Sequence, residues 1–130
     1  MHRYTGPMTL VLLAAIAPLI GCNQVMITSD RLVGAPQYPP TNPAGVQILR
    51  QKPTRAYDAL ADLFVEPQSG NPPMAAIENA LQQRAAKYGA DAVLVTMDRM
   101  EKSGSTYMGG GDFENTYGHA VRAVAIKYKQ

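Results

Sequence analysis

The chain has little with which to staple itself or to catalyse. It carries one cysteine, no tryptophan, two phenylalanines and two histidines in 130 residues. A single thiol closes no intramolecular disulfide and supports no Cys-based metal centre, so the fold must be held by its apolar core. Neither sign of charge dominates. Twelve Lys/Arg against ten Asp/Glu give a formal net charge of +2, and no basic stripe stands out, which argues against nucleic acid as a partner. A membrane-spanning helix needs about 20 consecutive apolar residues. The one uncharged apolar run, Met8 to Ile20, falls short of that.

That run does suit the apolar segment of a signal peptide, preceded by Arg3. It ends in Leu19-Ile20-Gly21-Cys22, which resembles a bacterial lipobox, with Leu three before the cysteine and a small residue directly before it. The resemblance implies cleavage after Gly21, a lipoprotein signal peptide over 1–21, and acyl chains on the new N-terminal Cys22. His2 and Arg3 would leave with the signal, so His119 becomes the only imidazole and the charge moves nearer to zero. Asn23 follows the cysteine where enterobacterial-type sorting uses Asp for inner-membrane retention. The expected address is therefore the cell envelope, at the outer membrane facing the periplasm.

Residues 22–44 are expected to be the acylated cysteine and a Pro-rich tether. Pro36, Pro39, Pro40 and Pro43 fix φ and remove donors, which suits neither a helix nor an interior strand. Only VMITS has the composition of a short edge strand. Residues 45–130 should form a single α+β domain. Val46 and Ile48 alternate with Gln47, predicting a strand over 45–50. Residues 56–66, flanked by Pro53 and Pro67, are expected as a second strand, although Leu60, Leu63 and Phe64 also fit a helical face.

After the 67–73 loop, Met74, Ile77, Leu81, Ala85 and Tyr88 step by three or four and predict a helix. Asn71 is its expected cap, Glu78, Gln82 and Gln83 its watered face, and Gly89 its left-handed stop. Ala92-Val93-Leu94-Val95 predicts a covered strand over 90–98. The Gly-rich stretch at about 102–118 is expected as a flexible loop, because Gly109-Gly110-Gly111 holds regular structure only at entropic cost. A closing strand over 119–130 places Val124, Ile126 and Tyr128 on one face. The predicted class is α+β, a small mostly antiparallel sheet with one packed helix, in the order β-β-α-β-β.

That order, together with QYPPTNPAGVQIL, AAKYGADAVLV and AVAIKY, resembles small bacterial envelope lipoproteins. The domain is similar to the YbjQ-like heavy-metal-binding family and to the Rcs stress-sensor outer-membrane lipoproteins. The resemblance implies a non-catalytic lipid-anchored protein acting in interaction, sensing or assembly. Its alternative implication is a small-ligand or metal-ion binding module. It assigns no binding residue.

The residues themselves offer little chemistry. One mature imidazole and no free thiol leave no Ser/His or Cys/His constellation, so no enzyme and no cofactor is expected. The carboxylate pairs Asp58/Asp62 and Asp112/Glu114 read as solvated charges rather than an acid–base couple. Asp112, Glu114 and His119 are the weak candidates for a divalent ion. Tyr107, Phe113 and Tyr117 in the same stretch are candidates for a contact surface, since aromatics dominate interface hot spots. The expected partners are the membrane, through Cys22, and an envelope protein.

Overall fold

The computed structural model describes residues 24–130; the segment expected as a signal peptide, 1–21, and Cys22 lie outside the described residues. Five strands and one helix make an α+β domain. Strands β1 (Ile27–Arg31), β2 (Gln47–Leu49), β3 (Tyr57–Val65), β4 (Ala92–Gly109) and β5 (Asp112–Tyr128) form one sheet in the spatial order β1-β3-β5-β4-β2. All neighbours are antiparallel except β2 and β4. The predicted class holds, with one more strand than the predicted order.

Helix α1 (Met74–Lys87) lies across one face of the sheet. Ile77, Leu81 and Ala85 form its buried stripe, as their spacing predicts, and they meet Leu63 and Val65 of β3, Val93 of β4 and Val121, Ala123 and Ala125 of β5. A bulge at Leu60 turns both Leu60 and Ala61 into the core, so the alternation of β3 breaks there. That bulge is why the segment carries both a strand pattern and a partial helical one. Val124, Ile126 and Tyr128 share one face, as predicted, and it is the face away from α1.

Both ends of α1 refine the expectations. Its N-cap is Pro73 rather than Asn71, and no side chain caps it. At the other end Ala90 N–H donates to the Ala85 carbonyl and Gly89 N–H to that of Ala86, the paired bonds of a Schellman stop. Gly89 sits at φ +81, and a Cβ there would lie 2.5 Å from Cβ of Tyr38. Gln82 is not free in water: its Nε2 donates to the Val46 carbonyl over 2.8 Å.

Two expectations are overturned. The Pro-rich segment is not a tether. VMITS contributes to β1, and the chain that follows is strapped across the end of α1. Thr41 donates its N–H to the Ala86 carbonyl and its hydroxyl to that of Ala90, at 2.9 and 2.7 Å. Pro36, Pro39 and Pro40 suit an extended strap and leave no unpaired N–H groups of their own, and Pro43 opens a short 3-10 turn, Pro43–Gly45. Nor is 102–118 a loop. It is the far half of the β4–β5 hairpin, paired in register from Lys102↔Tyr117 to Gly109↔Asp112. Gly110 and Gly111, at φ +66 and +89, supply the two left-handed residues that a tight two-residue hairpin turn demands.

Candidate functional site

Beyond Val121, β5 has only β4 as a neighbour, since β3 ends at Val65. The two strands therefore leave the sheet as a bare two-stranded arm. Extra residues in the arm, where the register shifts, all fall on β4, so β5 keeps strict alternation. Phe113, Asn115, Tyr117 and His119 share one face, which is the face that α1 covers farther along the strand. Asp112, Glu114 and Thr116 share the other.

Cross-strand contacts agree with this division. Tyr107 stands opposite Phe113 with ring centroids 5.2 Å apart at 55°. Ser105 Oγ donates to Asn115 Oδ1 on the same face, and Ser103 Oγ to Thr116 Oγ1 on the other, each over 3.1 Å. The Tyr107 hydroxyl accepts the Gly111 N–H at the tip, tying the ring to the turn. Tyr107, Phe113 and Tyr117 are 59%, 67% and 50% exposed. The three aromatic residues singled out in the sequence thus stand on one face of the arm and do not fold back onto the sheet.

The candidate metal ligands are not brought together. Glu114 and His119 stand five positions apart along β5, an odd offset that places them on opposite faces, and Asp112 lies farther out at the tip. Among the described residues no three His, Cys, Asp or Glu side chains converge. His119 is engaged instead at the root of the arm, where its Nδ1 lies 3.0 Å from Asp98 Oδ1. Arg50 reaches the other oxygen of Asp98 at 2.9 Å and Glu78 of α1 at 3.2 Å. Partial burial opposes ionisation of Asp98, but the hydrogen bonds to Arg50 and His119 outweigh it and hold the carboxyl below the usual carboxylate range. Its hydrogen bond to Asp98, and then that to Glu78, push the Arg50 guanidinium up. This cluster joins β2's end, the helix and the arm, and local sequence offers no signal for it.

The other carboxylate pair is separated as well. The bulge at Leu60 lies between Asp58 and Asp62 and sends them to opposite faces. Asp58 accepts from the Tyr38 hydroxyl and pairs with Lys129, while Asp62 is exposed opposite Asp30. No polar or charged side chain is buried among the described residues. Two hollows remain. A groove of about 610 Å³ runs between β1 and α1, lined in part by Met26, Thr28, Glu66, Gln83 and Arg84. A smaller one of about 290 Å³ lies over the uncovered face, beside Asp30, Asp62 and Arg122.

The root of the arm is where the chain enters the domain. Gln68 clips the entering segment, its Oε1 accepting the Met26 N–H and its Nε2 donating to the Gln24 carbonyl. Gln68 also packs on Gly118 of β5, where a Cβ would stand 2.4 Å from the Gln68 carbonyl oxygen. Compared with known proteins, the chain matches no family model, no curated protein and no solved structure.

Proposed function

We propose that the protein is a non-catalytic, lipid-anchored envelope protein, held through Cys22 at the outer membrane on its periplasmic side, which works by contact through the β4–β5 arm. One observation carries this reading: the arm leaves the sheet with Tyr107 and Phe113 stacked and exposed on one face. Exposed aromatics on a supported β-ribbon are a contact surface, because they bury large area at small entropic cost. The sequence ending at Cys22 supplies the anchor, since two or more acyl chains hold a protein stably where one is marginal.

Labelled palmitate should enter the wild type and not the Cys22→Ala protein, and uptake by the variant would defeat the anchor. In a density gradient the wild type should travel with outer-membrane markers, and Asn23→Asp should move it toward the inner membrane. For the arm, a photoreactive benzoyl-phenylalanine in place of Tyr117 should crosslink in intact envelopes, while one in place of Glu78 on the helix should not. A second reading, a small-ligand module of the YbjQ-like kind, is favoured by the groove between β1 and α1. Saturable heat of binding for a small envelope solute, abolished by Arg84→Ala, would support it over the first.

A further inference from the structure

Gln24, two residues after Cys22, stands at the end of the sheet from which the arm leaves. Ile27, Val65 and Val121 lie level across β1, β3 and β5. Past that line, among the described residues, run Gln24–Met26, the segment after Val65 that includes Gln68, and the β4–β5 arm. Gln68 holds the first to the third, through its bonds to Gln24 and Met26 and its packing on Gly118. Only two peptide units separate Cys22 from Gln24, at most about 7 Å of chain. At about 3.3 Å per residue, the arm from Gly118 to Gly110 reaches roughly 25 Å in the same direction. Because 27–44 is strand and strap rather than tether, no long leash lifts the domain away. A bilayer attached at Cys22 therefore lies beside the root of an arm far longer than the link that holds it.

The arm is also two-faced in the way a lipid surface requires. Tyr107, Phe113 and Tyr117 fall on one face, where Lys102 stands opposite Tyr117. Both carboxylates of the outer arm, Asp112 and Glu114, fall on the other. Tyr and Phe suit the headgroup level, where an apolar ring is shielded and a hydroxyl stays wet, and a cation there meets lipid phosphate. A protein-binding ribbon has no need to segregate its carboxylates from its aromatics along the whole outer arm, whereas a ribbon lying on lipid does.

We propose that the aromatic face of the arm, Tyr107, Phe113 and Tyr117, lies on the lipid surface to which Cys22 anchors the chain. The inference rests on the reading of Cys22 as the lipid anchor and names the occupant of the arm. It makes the arm an outrigger that fixes the tilt of the domain on the membrane, with the Asp112/Glu114 face toward water.

Because the chain has no tryptophan, a single one reports cleanly. Full-length lipidated protein bearing Phe113→Trp, and separately Thr106→Trp on the opposite face, is reconstituted in phosphatidylcholine vesicles with or without brominated acyl chains. Bromolipid should quench the Phe113→Trp protein several-fold more than the Thr106→Trp protein. Palmitate labelling and flotation with the vesicles, with equal or no quenching at both positions, would overturn this inference and leave the anchor standing. Failure of labelling and flotation would overturn the anchor reading and this inference with it. Protection of the Phe113→Trp probe only in native envelope fragments, and not in vesicles, would assign the face to a protein and overturn the lipid assignment.

Discussion

The same two strands, β4 and β5, run through two regions that obey different rules. In the body of the sheet their inward face carries Val93, Val95, Val121, Ala123 and Ala125, all covered by α1. In the arm that face continues as Phe113 and Tyr117, beyond the reach of α1 and half or more exposed. Small residues fill the covered half because the helix approaches closely and interiors pack to crystal-like density. Large aromatics appear where the cover ends. Burial stabilises the first region, whereas the second is held by its own ladder, its turn and the clip at Gln68. One region is covered by the helix, and the other presents its aromatics to solvent.

The contrast breaks most visibly at Leu81, the buried centre of the α1 stripe. Leu81→Ala should cost about 2–5 kcal/mol, read as a fall in the urea midpoint at unchanged slope. Gly89→Ala should follow closely, since it combines a left-handed backbone costing about 1–3 kcal/mol with overlap against Tyr38. Gln82→Ala should cost about 1 kcal/mol, because the Val46 carbonyl loses its donor in a half-buried place.

At the hinge between the regions, partial burial opposes ionisation of Asp98, but its hydrogen bonds to Arg50 and His119 hold its pKa below the unfolded value. A depressed carboxylate contributes stability above its unfolded pKa and loses it as pH falls through the folded value. Stability should therefore decline on the acid side of the ordinary carboxylate range, and Asp98→Asn should flatten that limb of a pH series of melts. Arg50 is nearly half exposed, so solvent screening keeps the contribution small. In the arm itself, Phe113→Ser should change folding stability by no more than about 0.5 kcal/mol. A loss like that of Leu81→Ala would mean the arm is part of the core after all.

How far each region could be read from sequence follows the same division. The helix was legible because its stripe, its basic last turn and the Gly89 stop all lie within sixteen consecutive residues. The arm was misread because glycine and polar residues weaken strand propensity there. Yet two local signals were present: Phe113-Asn115-Tyr117 alternates with period two, and Gly110-Gly111 suits a tight hairpin turn. Tyr107, Phe113 and Tyr117 stand out in the sequence as candidates for a contact surface, but their common exposed face came from the register. The metal trio failed for the same reason in reverse, since nearness in sequence becomes opposite faces once the chain is a strand.

By itself, the sequence determined the α+β class, the extent of α1, the stripe that α1 buries and the stop at Gly89, along with the apolar run ending at Cys22. Each rests on interactions within a few residues of one another, so periodicity and composition carry them. Only the tertiary structure decided that the Pro-rich segment is a strap, that the bulge at Leu60 separates Asp58 from Asp62, and that residues 102–118 form an arm rooted at Gln68. Those features depend on partners far along the chain: Thr41 on the end of α1, β3 on β5, and Gln68 on Gly118. Such pairings arise when the sheet assembles, and no local pattern encodes which distant segment will arrive beside a given residue.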